Sequence, residues 1–210
     1  AKTNAKGAAV GALASERDIL IARARVHLRD EAKQLQLSQK LIDDAQVFDA
    51  QYNGDGPAVV RFRQYAGGTE VFYRSLNVLL SRSGKPIAVS GYFATDYKPA
   101  ALSSAGFTLG GAQAISKAWG NLGGVLNAGS LSLLKTKGAW QQFSTPVLAG
   151  NYHFEREPRV KKVYYPRPGA LEPAWVVEIF ARNNQRGGLI AYSMVVSAMD
   201  GSILNRKNLK

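Results

Sequence analysis

Cysteine is absent from this sequence of 210 residues, and histidine occurs only at His27 and His153. The absence of cysteine excludes structural disulfides, thiolate catalysis and zinc sites built from thiolates. The two histidines lie far apart, and neither belongs to an H-E-x-x-H helix, in which two imidazoles one turn apart bind zinc. The sequence therefore lacks the metal site of a zincin.

Acidic residues are also few. The 15 Asp and Glu stand against 27 Lys and Arg, which gives a formal net charge of +12. No acid occurs between Asp96 and Glu155. The lysines of that stretch are Lys98, Lys117, Lys135 and Lys137. Such an excess favours an anionic partner, which is an acidic protein, a nucleic acid or a membrane surface.

Long apolar runs are missing as well. No run approaches the ~20 residues that a membrane-spanning helix requires. Lys2 and Lys6 are followed by small residues instead of the apolar stretch of a signal peptide. We therefore expect no membrane span and no signal peptide within this sequence.

The overall composition is that of a folded protein, with 46% apolar and 20% charged residues. Residues 1–14 are mainly Ala, Gly and Lys and are predicted to form a flexible arm. Ser15, followed by Glu16 and Asp18, is a good start for a helix. Apolar residues then recur every three or four positions and predict an amphipathic helix to about Leu35.

The first β-rich region runs from Val59 to Phe93. A short predicted strand, Asp43–Gln51, and a predicted turn, Asn53–Pro57, precede it. Alternating apolar residues, with bends at Gly67-Gly68 and Ser83-Gly84, predict a half-buried antiparallel meander. Its expected core residues are Phe62, Val71 and Phe72.

The rest of the chain predicts a second helix and a second meander. Helical spacing covers Ala112–Leu122, and residues 123–150 are glycine-rich, which is typical of an extended arm with a short hairpin. Alternation and β-branched residues predict four later strands. These are Val160–Tyr165, Ala174–Ala181, Leu189–Ala198 and Ile203–Leu209.

Together these elements predict an α+β fold of two small modules, each a helix packed on an antiparallel β-meander. A connection rich in Gly, Ala and Ser joins them. The predicted boundaries are 1–14 for the arm, 15–96 for the first module, 97–150 for a linker helix and glycine-rich segment, and 151–210 for the second, β-rich module.

Catalytic patterns are incomplete throughout. His27 and Glu31 lie one turn apart on the predicted helix, but two ligands do not make a metal site. His153 and Glu155 match the H-x-E of zinc deaminases without the cysteines that such a site needs. No G-x-S-x-G nucleophile elbow occurs, and the glycine-rich segments do not fit a P-loop or a dinucleotide fingerprint. We therefore predict no catalytic and no metal-binding residue.

Basic and aromatic residues are interleaved at Arg61–Tyr65, a pattern that sheets binding single-stranded nucleic acid also use. The run does not fit the signature of an RNA-recognition motif. We therefore expect Phe62 and Phe72 in the core, the arginines in solvent, and no nucleic-acid partner.

The first β-rich region resembles the FTP module, named for the fungalysin/thermolysin propeptide. The residues that carry the resemblance, besides the strand Leu76–Leu80, are Val60, Phe62, Gln64, Gly68, Val71, Phe72, Gly84 and Gly91. Glu70 stands where the family often has Pro, which is a mild departure.

The last third resembles a PepSY-type module, which is common in peptidase propeptides. Its resemblance rests on Trp175 within the run PAWVV, on the strand Tyr192–Ala198, and on the turn Asp200-Gly201. Ser197 replaces an acid that the family often has in this strand.

The two resemblances together imply the prodomain of a bacterial fungalysin-like secreted zinc metallopeptidase precursor. They imply that the chain is not itself an enzyme, that it is a chaperone and inhibitor of a cognate catalytic domain, and that it is secreted or periplasmic. Zinc is then expected only in that catalytic domain, with no cofactor in this chain. Processing is expected in the tail Asn205, Arg206, Lys207, Asn208, Leu209 and Lys210. A free-standing binding module that acts in trans and a polyanion-binding protein remain the alternatives.

Overall fold

The computed structural model describes residues 5–52, 56–98, 102, 106–185 and 187–210. The chain divides into two compact units, Ala1–Asp96 and Tyr97–Lys210. Residues 1–4 of the predicted arm and the first three residues of the predicted turn Asn53–Pro57 lie outside the described residues.

Two helices open the first unit, α1 (Ala5–Asp30) and α2 (Gln39–Asp44). The helix α1 begins well before the Ser15 start that we predicted, and this corrects the arm prediction from Ala5 onward. Alanine has the highest helix propensity, so the Ala-rich lead-in continues the helix without amphipathic periodicity. The helix also ends earlier than Leu35, and the chain then turns at Gln36, which has a φ of 54°.

The helices pack on one face of a four-stranded antiparallel sheet. Its strands follow chain order: β1 (Gln46–Gln51), β2 (Ala58–Ala66), β3 (Thr69–Leu80) and β4 (Pro86–Tyr92). Strict alternation buries Val60 and Phe62 of β2 against Leu20, Ala24 and Leu28 of α1. The predicted strand Asp43–Gln51 is shorter than expected, because its first two residues end α2, which Ser38 caps at its start.

In its described residues, the second unit is an antiparallel sheet with one α-helix, α3 (Gly111–Asn121). Six strands pair in the order β5-β6-β8-β9-β10-β11, and β7 pairs with β9 beyond the end of β8. The strands are β5 (Leu133–Lys137), β6 (Trp140–Phe143), β7 (Tyr152–Phe154), β8 (Arg159–Arg167), β9 (Ala170–Asn183), β10 (Leu189–Ser197) and β11 (Ile203–Asn208).

One core holds the second unit together. The helix α3 buries Ile115 and Trp119 against Val177 of β9 and Met194 of β10. Residues from the stretch predicted as a linker also enter this core, namely Leu126, Leu131, Phe143 and Leu148. Residues 97–150 therefore belong to the second unit, and the expected hairpin within 123–150 is β5–β6.

Candidate functional site

Gln64 is the one buried polar side chain of the FTP-like residues. Because β2 alternates, Gln64 points to the same side as Val60 and Phe62, and it is fully buried. Its Nε2 donates to the carbonyl oxygen of Ala94 at 2.7 Å, and its Oε1 accepts from the Ala94 N–H at 2.8 Å. The amide thus pairs with the backbone just after β4, and both buried partners satisfy each other.

Opposite Gln64, strand β3 forms an irregular bulge of four residues. Arg63 pairs with Ser75 and Tyr65 pairs with Glu70, so residues 71–74 of β3 face Gln64 alone. Val71 and Phe72 are buried, whereas Tyr73 is 65% exposed and has a φ of 52°, which is unusual for a residue other than glycine. The Phe72 and Tyr73 rings stack at 4.1 Å. The bulge therefore anchors two apolar side chains and presents one aromatic ring to solvent.

The three motif glycines all have a positive φ, which is 79° at Gly68, 76° at Gly84 and 87° at Gly91. At Gly91 a Cβ atom would lie 2.3 Å from the carbonyl oxygen of Ser75, so glycine also allows a close approach of two strands. At Gly84 a Cβ would meet the guanidinium of Arg23, which donates from α1 to the carbonyl oxygen of Ser83 at 2.6 Å.

The arginines on the outer face of this sheet are paired. Arg61 forms an ion pair with Asp49, and Arg63 lies 3.6 Å from Glu70 with its guanidinium 4.3 Å from the centroid of the Phe48 ring. Phe62, which alternates with them, is buried in the core as expected. The pattern at Arg61–Tyr65 is thus used in ion pairs and core packing.

In the second unit, the side chains of the PepSY-like residues form hydrogen bonds with backbone groups. The buried Trp175 donates from its Nε1 to the carbonyl oxygen of Leu109 at 2.8 Å. Asp200 accepts from the N–H of Ser202 at 2.9 Å in the β10–β11 turn, where Gly201 has a φ of 80°. Hydrogen bonds from the Ser202 backbone and hydroxyl hold the pKa of Asp200 below its usual value. Ser197, the departure from the family pattern, is buried, and its Oγ accepts from the Met199 N–H at 3.2 Å.

The predicted processing tail is mostly a strand. Its first four residues, Asn205–Asn208, pair with Val195–Tyr192 of β10, and Leu209 donates to the carbonyl oxygen of Ala191 at 2.9 Å. Backbone pairing with β10 therefore holds Asn205–Asn208 in the sheet, and a protease has less access to these residues than to an unpaired tail.

The candidate metal ligands are not brought together. No group of three or more His, Asp or Glu able to hold a metal ion occurs in the described part of the chain. His153 contacts Asn184 through Nδ1 and lies 3.3 Å from Glu155 through Nε2. The Arg182 guanidinium, 2.5 Å from Glu155, holds the pKa of that carboxyl below its usual value. This cluster has the chemistry of a surface ion pair.

A basic surface on β5, β6 and β8 was missed by the sequence analysis. Cross-strand pairing places Lys137, Trp140 and Lys161 in one row, and Lys135, Gln142 and Arg159 in the next row on the same face of the sheet. The Arg159 guanidinium lies 4.4 Å and the Lys161 ammonium 5.4 Å from the centroid of the Trp140 ring. The available signal was the run KTKGAW, two strand ends around a possible two-residue turn.

The first sheet matches a known family motif. Residues 43–93 match the Fungalysin/Thermolysin Propeptide Motif, FTP. The match covers β1 to β4 and ends one residue before Ala94, the partner of Gln64. This motif belongs to non-catalytic propeptides of secreted metallopeptidase precursors. The resemblance of 151–210 to PepSY, and the assignment to a bacterial fungalysin-like precursor, stay predictions.

Among solved structures, the chain is similar to the Bacillus megaterium YpeB C-terminal domain, with 13% identity and a TM-score of 0.37. The similarity covers 92% of this chain and 65% of that one, so this chain spans less than two thirds of that structure. No curated protein sequence matches the chain. Among the helices of the described residues, none has the length and apolar character needed to cross a bilayer.

Proposed function

We propose that this chain is the propeptide of a secreted zinc metalloendopeptidase, and that it acts as an intramolecular chaperone and inhibitor of the catalytic domain. The observation that carries the proposal is the FTP match over residues 43–93. The matched side chains stabilise the fold, as Gln64 does through its hydrogen bonds to Ala94. They would have no role in catalysis. Zinc would then be bound by the catalytic domain alone.

Both roles follow from one binding equilibrium. A partner that binds only the native catalytic domain stabilises it by RT ln(1 + [L]/Kd), which is ~2.7 kcal/mol at a hundredfold excess over Kd. The same complex covers the substrate cleft until the propeptide is cut away near its C-terminal tail. Precursors of this class are secreted, so we place the chain outside the cytoplasm, in the periplasm or the medium.

The test uses the catalytic domain encoded with this chain. Purified chain, added in excess to the active peptidase, should slow cleavage of a peptide substrate and should raise the yield when the denatured catalytic domain is refolded. A chain that changes neither activity nor yield at large excess would falsify the proposal.

A second candidate is a free-standing module that binds a peptidase or an envelope protein in trans. It is favoured by the pairing of Asn205–Asn208 in β11, because a strand closing the sheet is a poor place for processing. The reading frame beyond Lys210 separates the two candidates. A continuation into an H-E-x-x-H domain excludes the second.

A further inference from the structure

The strand β5 has one unoccupied edge. Among the described strands it pairs with β6 alone, and all of its 5 residues are exposed. The residues Lys137 and Trp140 flank the two-residue turn Gly138-Ala139, so they form the hydrogen-bonded pair that closes the hairpin. The next pair, Thr136 with Gln141, then points its backbone groups outward. The N–H and C=O of Thr136 are thus available to another strand.

The side chains around this edge are cationic and apolar. Lys135 and Lys137 lie on the same sheet face as Trp140, Arg159 and Lys161. The acid that follows in the row is Glu178, which Arg159 binds at 2.7 Å. At the start of the strand, Leu133 and Leu134 are 53% and 55% exposed. We call β5 together with Trp140, Arg159 and Lys161 the β5 edge surface.

These features select among possible occupants. A second copy of β5 would bring its lysines against Lys135 and Lys137, and like charges on facing strands are destabilising. The phosphates of a nucleic acid would pair with the cations, but a nucleic acid would contact neither the outward backbone groups nor the exposed leucines. An extended peptide with acids at alternate positions and an apolar end satisfies all three.

We propose that the β5 edge surface binds an extended acidic segment of the peptidase catalytic domain as an added strand. This inference rests on the proposed function and names the contact through which the two domains dock. Backbone pairing with Thr136 supplies the hydrogen bonds of strand addition. Acidic side chains of the added strand meet Lys135 and Lys137, and this complementarity sets the register and speeds association.

The first test uses the full chain and a synthetic peptide of alternating glutamate and valine as the probe. The double variant Lys135→Glu/Lys137→Glu should weaken peptide binding about tenfold, since each reversal replaces an attraction by a repulsion. Thr136→Pro should weaken it similarly, because the proline ring removes the outward N–H that an added strand needs.

Two matched controls separate these effects from charge and folding. Arg82→Glu/Lys85→Glu makes the same change in net charge at exposed positions of the first unit and should bind the probe as the wild type does. Thr136→Val keeps the strand and its N–H and should also bind normally. All variants should keep the wild-type circular dichroism spectrum.

Equal probe binding by the wild type and Lys135→Glu/Lys137→Glu, or no binding by the wild type, overturns the inference. If Lys135→Glu/Lys137→Glu loses probe binding but Thr136→Pro does not, the inference is also overturned. The surface would then bind polyanions by charge alone, which retention on heparin would verify. Inhibition of the catalytic domain is measured in parallel. If the variants inhibit the catalytic domain as well as the wild type does, only the docking inference is wrong. If the wild type itself does not inhibit the catalytic domain, the proposed function is wrong.

Discussion

Gln64 lies in the core, on the face of β2 where the neighbouring positions hold the apolar Val60 and Phe62. The polar side chain is tolerated there because both ends of its amide are bonded to the backbone of Ala94. A buried donor or acceptor that loses its partner costs about 1–3 kcal/mol. Gln64→Ala would leave the N–H and C=O of Ala94 unpaired. We expect it to lower the free energy of unfolding in urea by about 2–4 kcal/mol. Gln46→Ala, at an exposed position of β1, is the matched control and should change it by less than about 0.5 kcal/mol.

Substitutions at Gly91 and Gly68 separate two effects of adding a side chain, which are backbone strain at a positive φ and a steric clash with the neighbouring strand. Both have a positive φ, which costs an L-residue about 1–2 kcal/mol. Only at Gly91 would the new Cβ also meet a backbone atom, the carbonyl oxygen of Ser75 at 2.3 Å, whereas nothing lies within 4 Å at Gly68. Gly91→Ala should therefore destabilise the chain clearly more than Gly68→Ala, as measured by thermal unfolding. Equal losses would show that strand spacing near Ser75 adjusts freely.

The β10–β11 turn contains a carboxylate, that of Asp200, which accepts a hydrogen bond from the Ser202 N–H. The pKa of Asp200 is lowered in the folded chain by hydrogen bonds from Ser202. The stability that this group contributes is therefore complete above the unfolded pKa of about 3.9 and is lost as pH falls through the lower folded value. Asp200→Asn keeps an acceptor oxygen but does not titrate. Its unfolding midpoint should fall less steeply than that of the wild type below about pH 4.

Strands with a buried face were located by their alternation, whereas the sequence predicted β5 only as part of a short hairpin without defined ends. The strands β2 and β3 alternate because one side packs on α1, and the predicted meander follows from that alternation. The edge strand β5 is exposed on both faces, so LLKTK has no period to detect. The bulge at Tyr73 depends on the buried Val71 and Phe72 on one side of it and on the pairing of Ser75 beyond it, which no local pattern contains.

The same limit applies to the candidate site. The resemblance identified Gln64 as a motif residue, but its partner Ala94 lies 30 positions away and is bound through the backbone, which carries no sequence signal. Similarly, the four cations around Trp140 come from two strands, β5 and β8, which lie on either side of β6, and only cross-strand register brings them together. Charge composition predicted an anionic partner without indicating where it binds.

The net charge of +12 makes a prediction for the whole molecule. If the chain docks on an acidic catalytic domain, long-range attraction should speed association, and salt should screen it because the Debye length falls from about 10 Å at 0.1 M to about 3 Å at 1 M. We expect the association rate constant, measured by stopped flow, to fall at least about tenfold over that range, with a smaller change in dissociation. Lys135→Glu/Lys137→Glu should flatten this dependence more than Arg82→Glu/Lys85→Glu, although both pairs change the net charge equally. Identical slopes for the two pairs would mean that the diffuse charge of the molecule, and not the β5 edge surface, steers the encounter.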